Sequence, residues 1–222
     1  MSPPQNPPLL IKICGVTTPA DAALAAHAGA GAIGVNLWPG SKRYVGDHAA
    51  ARAVLAAVPA GVLKVGVFVN AAPDDVGRAV DQLGLDRAQL HGDETATAFA
   101  GFDPAGLIRA VRVRDAASFA EALQWNTRAA VRLYDAFVDG FGGGGQPAPW
   151  GLIAGQGRRP FWLAGGLTPD NVAAAITATA ADGVDVASGV ESAPGRKDPA
   201  RVAAFVAAAR AAAAALGYSL SP

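Results

Sequence analysis

Eight short runs of β-branched and apolar residues alternate with longer alanine-rich segments along this chain, and nothing else in the sequence constrains the fold as strongly. The runs are LLIKIC, GAIGVN, VLKVGVFV, DRAQLH, GLIRAVRV, AAVRLYD, PFWLAG and GVDVAS. Most are apolar on both faces, which suits strands of a parallel sheet covered by helices. Between them, TPADAALAAHAGA, GDHAARAVLAAV, APDDVGRAVDQLG, DETATAFAG, RDAASFAEALQ, TPDNVAAAI and DPARVAAFVAAAR read as helices. Thr18-Pro19, Thr168-Pro169-Asp170 and Asp198-Pro199 each set a capping residue before a proline, as helix starts do.

Eight strand and helix units in 222 residues fit the α/β class and a single (β/α)8 barrel, a fold of about 250 residues. The barrel is expected over residues 9–217, after a proline-rich disordered tail at 1–8. An open, doubly wound sheet uses the same elements and remains an alternative. In a barrel the reactive groups gather at the C-terminal ends of the strands, so the residues that end these runs matter most.

Charge and cysteine content narrow the possible partners. Lysine plus arginine equals aspartate plus glutamate at 18 each, so no global field draws the chain to nucleic acid or to an anionic membrane. A lone cysteine forms no internal disulfide, and no Cys/His cluster has metal-ligand spacing. A reducing cytoplasm and a site without metal or organic cofactor are therefore expected. The N-terminus has neither the basic start nor the apolar stretch of a secretion leader, and the final alanine-rich tract, broken by arginine, is too short to span a bilayer.

Cys14 ends the first run, His91 the fourth and Asp135 the sixth; Gly165-Gly166 follow the seventh and Ser188-Gly189 the eighth. Each has an ordinary alternative. A cysteine beside Ile11, Ile13 and Val16 packs like a small hydrophobe, His91 can cap a helix, and Asp135 can be a turn acid. The loops FGGGGQ, LAGGLTPDN and ASGVES bring bare backbone N–H groups to strand ends, where phosphate is commonly held, although four glycines in a row also make a mobile loop tip. Lys42 and Arg43 in LWPGSKRYV are either solvated surface charge or, for Arg43, a planar partner for a carboxylate.

Taken in order, KICG at 12–15, SKRYV at 41–45, VGVFVN at 65–70, QLHGDE at 89–94, the aspartate of LYD, the glycine loop at 142–145, LAGGLTPDNV at 163–172 and VDVASGVESAPGRKD at 184–198 resemble the phosphoribosylanthranilate isomerase family over nearly the whole chain. The resemblance implies conversion of N-(5-phosphoribosyl)anthranilate to 1-(2-carboxyphenylamino)-1-deoxyribulose 5-phosphate in L-tryptophan biosynthesis, an Amadori rearrangement. It implies Asp135 as general acid and Cys14 as general base, Arg43 on the anthranilate carboxylate, and His91 and Asp185 beside the substrate. The phosphate would rest near Gly143, Gly144, Gly165, Gly166, Ser188 and Gly189. The partner is a small phosphosugar, and the enzyme is expected to be monofunctional, as a monomer or homodimer.

Where the family commonly carries hydroxyl residues this chain has Ala136, Gly144 and Ala187, while the backbone donors are kept. Arg132, within the sixth run, is expected to reach an end of the barrel. Another sugar-phosphate barrel isomerase and a non-catalytic phosphosugar-binding module are the rival readings. The first lacks the expected acidic pairs or catalytic lysine, and the second would have lost the acid or the base. Strand alternation sets Lys12 one layer below Cys14, and barrel closure makes the first and eighth strands neighbours. A buried Lys12–Asp185 pair that lowers the Cys14 pKa is therefore expected.

Overall fold

The computed structural model describes residues 8–137, 148–157 and 159–219. Its eight parallel strands are β1 (Leu10–Ile13), β2 (Ala32–Asn36), β3 (Leu63–Phe68), β4 (Arg87–Leu90), β5 (Leu107–Val113), β6 (Val131–Ala136), β7 (Phe161–Leu163) and β8 (Gly183–Val186). They close in sequence order, with β8 paired back onto β1. The (β/α)8 barrel is the fold, and the open sheet is excluded. Residues 1–7 of the expected tail lie outside the described residues; Pro8 is exposed and leads into β1.

Two-residue alternation divides the strand side chains into two cores. Ala32, Val65, Ile108, Ala110, Leu133, Trp162 and Ala164 fill the barrel interior. Ile11, Ile13, Ile33, Val35, Leu90 and Val111 face outward and pack with the helices in the larger core. Fully burying a side chain of this size contributes about 1.5–3 kcal/mol, so the register that points them outward is strongly specified.

The helices are α1 (Pro19–Ala28), α2 (His48–Ala56), α3 (Pro73–Leu83), α4 (Ser118–Leu123), α5 (Trp150–Gln156), α6 (Val172–Thr179) and α7 (Pro199–Ala215). Thr18 and Asp198 cap α1 and α7 as expected, accepting from Asp21 N at 3.1 Å and Arg201 N at 3.0 Å. Thr168 does not cap α6. Its N–H instead donates to Asn171 Oδ1 at 2.8 Å, and Asn171 Nδ2 donates to Gly166 O at 2.9 Å, which ties the loop after β7 to the helix start.

The helix expected in DETATAFAG is absent: turns and a 3-10 turn at Pro104–Gly106 join β4 to β5. Glu94 is drawn inward there. Its carboxylate accepts from Asn70 N (2.7 Å), Gly92 N (2.9 Å) and Arg109 Nη1 (2.7 Å). Conversely, α5 forms in WGLIAGQ, whose two glycines hide its helical character. Arg132 is buried and in register with Arg109, whose guanidinium lies over Trp125 at 5.2 Å from the ring centroid. Since Leu133 faces the interior, Arg132 belongs to the outward face of β6, between the strand and the helical layer.

Candidate active site

Cys14 follows β1 directly, its N–H donating to Val186 O at 2.8 Å across the β1–β8 seam. One layer below, Lys12 is fully buried and donates to Asp185 Oδ2 at 2.8 Å, the two residues being register neighbours. The expected pair is present. Space for it comes from β2, where a Cβ on Gly34 would lie 2.8 Å from Cys14 Sγ and 3.1 Å from Lys12 Nζ. Any side chain at position 34 would displace the thiol or the ammonium.

Burial works against the Lys12 charge, but Asp185 and the neighbouring thiol more than offset it, so the ammonium titrates above its ordinary 10.5. The stabilisation that the Lys12 titration contributes is therefore fully present below pH 10.5 and is lost as pH rises through the folded value. Lys12→Met would strand a buried carboxylate. We expect it to cost about 3–5 kcal/mol in urea unfolding, with Lys12→Met/Asp185→Leu recovering most of that loss. Equal loss in the single and the double variant would contradict this.

The thiol departs from expectation. Burial pushes Cys14 up and outweighs the favourable Lys12 ammonium, so its pKa stands above the ordinary 9.0 rather than below it. Lys12 does act on the thiol in the expected direction, but the depth of the site decides the sign.

Across the rim, Asp135 near the end of β6 is mostly buried. Its Oδ1 accepts from Ala136 N at 2.8 Å, and its Oδ2 lies 3.2 Å from His91 Nε2. Gln89 Nε2, one layer below, meets His91 Nδ1 at 2.9 Å. With Gln89 donating, the imidazole carries its proton on Nε2 and presents it to Asp135. The loop after β7 presses on the same carboxylate. Gly165 adopts φ +88°, and a Cβ there would stand 2.8 Å from Asp135 Oδ1.

Two of the three expected phosphate loops lie side by side. Gly189 approaches the carbonyl of Leu167 so closely that no side chain fits, which sets Ser188–Val190 against the loop of Gly165 and Gly166. Ser188 is exposed at this edge. Gly143 and Gly144 lie outside the described residues. Arg43 reaches the rim from the loop after β2 but is already engaged: Nε donates to Glu191 Oε1 at 2.8 Å, and Nη2 donates to Glu191 Oε2 at 2.7 Å. The Nη1 edge carries neither bond, and the side chain is 17% exposed.

Reasoning from sequence gives Gln89, Gly34, Glu191 and Lys197 no part of their own in the site. Glu191 and Lys197 stand in the SGVE and PGRK motifs, so charge inside a glycine loop is the available signal. Among the described residues, no group of three or more His, Cys, Asp and Glu could hold a metal ion, and no helix is long and apolar enough to cross a membrane.

The family model for N-(5'-phosphoribosyl)anthranilate isomerase matches residues 11–208. The enzyme of that name from Neisseria meningitidis is 43% identical over 199 residues, 89% of this chain and 95% of that relative. The crystal structure of the Thermotoga maritima phosphoribosylanthranilate isomerase superposes with a TM-score of 0.84 at 34% identity, covering 91% of this chain and 99% of that one. A phosphoribosylanthranilate isomerase in complex with reduced 1-(o-carboxyphenylamino)-1-deoxyribulose 5-phosphate superposes with a TM-score of 0.81 at 33% identity, over 91% and 99% of the two chains. Carrying this barrel and these motifs in order, the chain belongs to the N-(5'-phosphoribosyl)anthranilate isomerase family.

Proposed function

We propose that this protein isomerises N-(5'-phosphoribosyl)anthranilate to 1-(2-carboxyphenylamino)-1-deoxyribulose 5-phosphate in tryptophan biosynthesis, with Asp135 as general acid and Cys14 as general base. The observation that carries the reading is the pairing of two differently supported proton-transfer groups on one rim. Asp135 is gripped by His91 and Ala136 N, and Cys14 stands over the Lys12–Asp185 pair.

Asp135, as general acid, gives a proton to the furanose oxygen, so the bond from that oxygen to C1 breaks and the anilino nitrogen carries the positive charge as an iminium. Cys14, as thiolate, then takes the proton from C2, and those electrons neutralise the nitrogen to give an enolamine. Proton transfer from the C2 hydroxyl to C1 completes the ketose. Arg43 receives the anthranilate carboxylate on its Nη1 edge. The loops of Gly165-Gly166 and Ser188-Gly189, with Gly143-Gly144, receive the phosphate on backbone N–H groups. Ala187 keeps such a donor despite lacking a hydroxyl, while the Ala136 N–H is already given to Asp135 Oδ1.

A raised pKa makes the thiolate scarce but a stronger base once formed. In the free enzyme, ultraviolet thiolate absorbance is expected to rise with a midpoint above pH 9.0, and at higher pH still in Lys12→Met. A midpoint below 9.0 would contradict this account of the thiol. The reading carries with it a reducing, cytoplasmic location for a base that must remain a thiol, and a monomer or homodimer as the working form. Direct assay with freshly generated phosphoribosylanthranilate tests it: product formation at enzyme-dependent rate is expected, and none from folded protein would overturn it.

A further inference from the structure

A short hairpin, β9 (Glu191–Ala193) and β10 (Arg196–Lys197), follows β8 and leans across the mouth of β1. Thr17 Oγ1 donates to Gly195 O at 2.6 Å, which fixes the hairpin to the loop after β1. Lys197 points inward from it, its side chain wholly buried. The ammonium has three protons and finds three acceptors: Cys14 O at 2.6 Å, Glu191 Oε1 at 2.8 Å and Ala187 O at 3.2 Å.

Those acceptors belong to three separate parts of the site. Cys14 bears the base, Ala187 precedes the Ser188-Gly189 loop, and Glu191 is the carboxylate that grips Arg43 through Nε and Nη2. The stem of Arg43 lies so closely on Gly15, the neighbour of Cys14, that no side chain fits there. Burying an ammonium and a carboxylate is costly, and mere closure of the barrel mouth does not require it. One lysine, one glutamate and one arginine leave a net positive charge beside the Nη1 edge, complementary to an arriving carboxylate.

We propose that Lys197 is a positioning residue of the isomerase site, which sets the catalytic thiol and, through Glu191, the Arg43 guanidinium at a fixed separation matched to the sugar and the aryl carboxylate of the substrate. The proposal rests on the roles of Cys14 as base and Arg43 as carboxylate partner. Glu191 stays ionised in this position, because the bonds from Arg43 and Lys197 outweigh burial, which pushes its carboxyl up, and hold it below its ordinary 4.5.

The test measures two things in wild type, Lys197→Met, Glu191→Gln and Arg43→Met. One is the single-turnover rate. The other is the preference for the reduced 1-(o-carboxyphenylamino)-1-deoxyribulose 5-phosphate over the same compound lacking its carboxylate. Losing a charge-assisted contact of this kind is expected to lower the carboxylate preference by about 10-fold in Lys197→Met and in Glu191→Gln. The rate should also fall by about 10-fold in Lys197→Met, because only that change releases Cys14 O. A purely structural role would weaken folding without moving the preference. Glu191→Gln, nearly unchanged in size, keeps the question open to test if Lys197→Met does not fold. If Arg43→Met loses the preference while the folded Lys197 and Glu191 variants keep both wild-type values, the Arg43 assignment stands and this proposal is overturned. If Arg43→Met keeps the preference, the carboxylate assignment falls and the proposal falls with it.

Discussion

Cys14→Ala is expected to lower the single-turnover rate by at least about 100-fold, the lower end for loss of a general base, while the affinity for the reduced product analogue changes little. The scaffold around residue 14 does not depend on its sulfur. The backbone N–H is held by Val186 O and the carbonyl by Lys197, and both bonds survive the change. A folded variant that turns over at nearly the wild-type rate would remove Cys14 from the mechanism.

Asp135→Asn is expected to be as damaging to the chemical step, again at least about 100-fold, and for a complementary reason. The amide oxygen can still accept from Ala136 N, so the end of β6 should keep its shape. What is lost is the proton for the ring oxygen. The amide cannot supply it, and its nitrogen faces an imidazole N–H where the carboxylate had accepted. The defect should therefore fall on the rate far more than on substrate binding. A variant weakened mainly in binding would instead make Asp135 a contact residue.

All eight strands could be read from the sequence because their outward side chains are mostly apolar, with Arg109 and Arg132 as exceptions, and parallel strands under helices leave few other places for such runs. The loop after β4 could not be read so well. DETATAFAG looks helical as a string, yet Glu94 has three hydrogen-bond partners contributed by Asn70, Gly92 and Arg109, and two of them, Asn70 and Arg109, are set by tertiary structure. The Lys12–Asp185 pair was legible because alternation and closure alone place the two residues side by side. The direction of the Cys14 pKa was not, because it depends on how deeply Gly34 lets the thiol settle.

The same difference separates the parts of the site. Cys14 and Asp135 stand where strands end, which the sequence pattern marks. Lys197 meets Cys14 from 183 residues away and Glu191 meets Arg43 from 148, so their partners became visible only when the hairpin was seen folded over the barrel mouth.

The central claim, that the thiol at position 14 takes the proton from C2 of the sugar, is tested most directly by single-turnover kinetics with substrate deuterated at that carbon, in wild type and in Cys14→Ser. A serine hydroxyl ionises far less readily than a thiol, so the anionic base is much scarcer and proton removal should become rate-limiting. The account predicts a slow reaction with a primary isotope effect in Cys14→Ser. A Cys14→Ser enzyme that is as fast as wild type and insensitive to deuterium would contradict it.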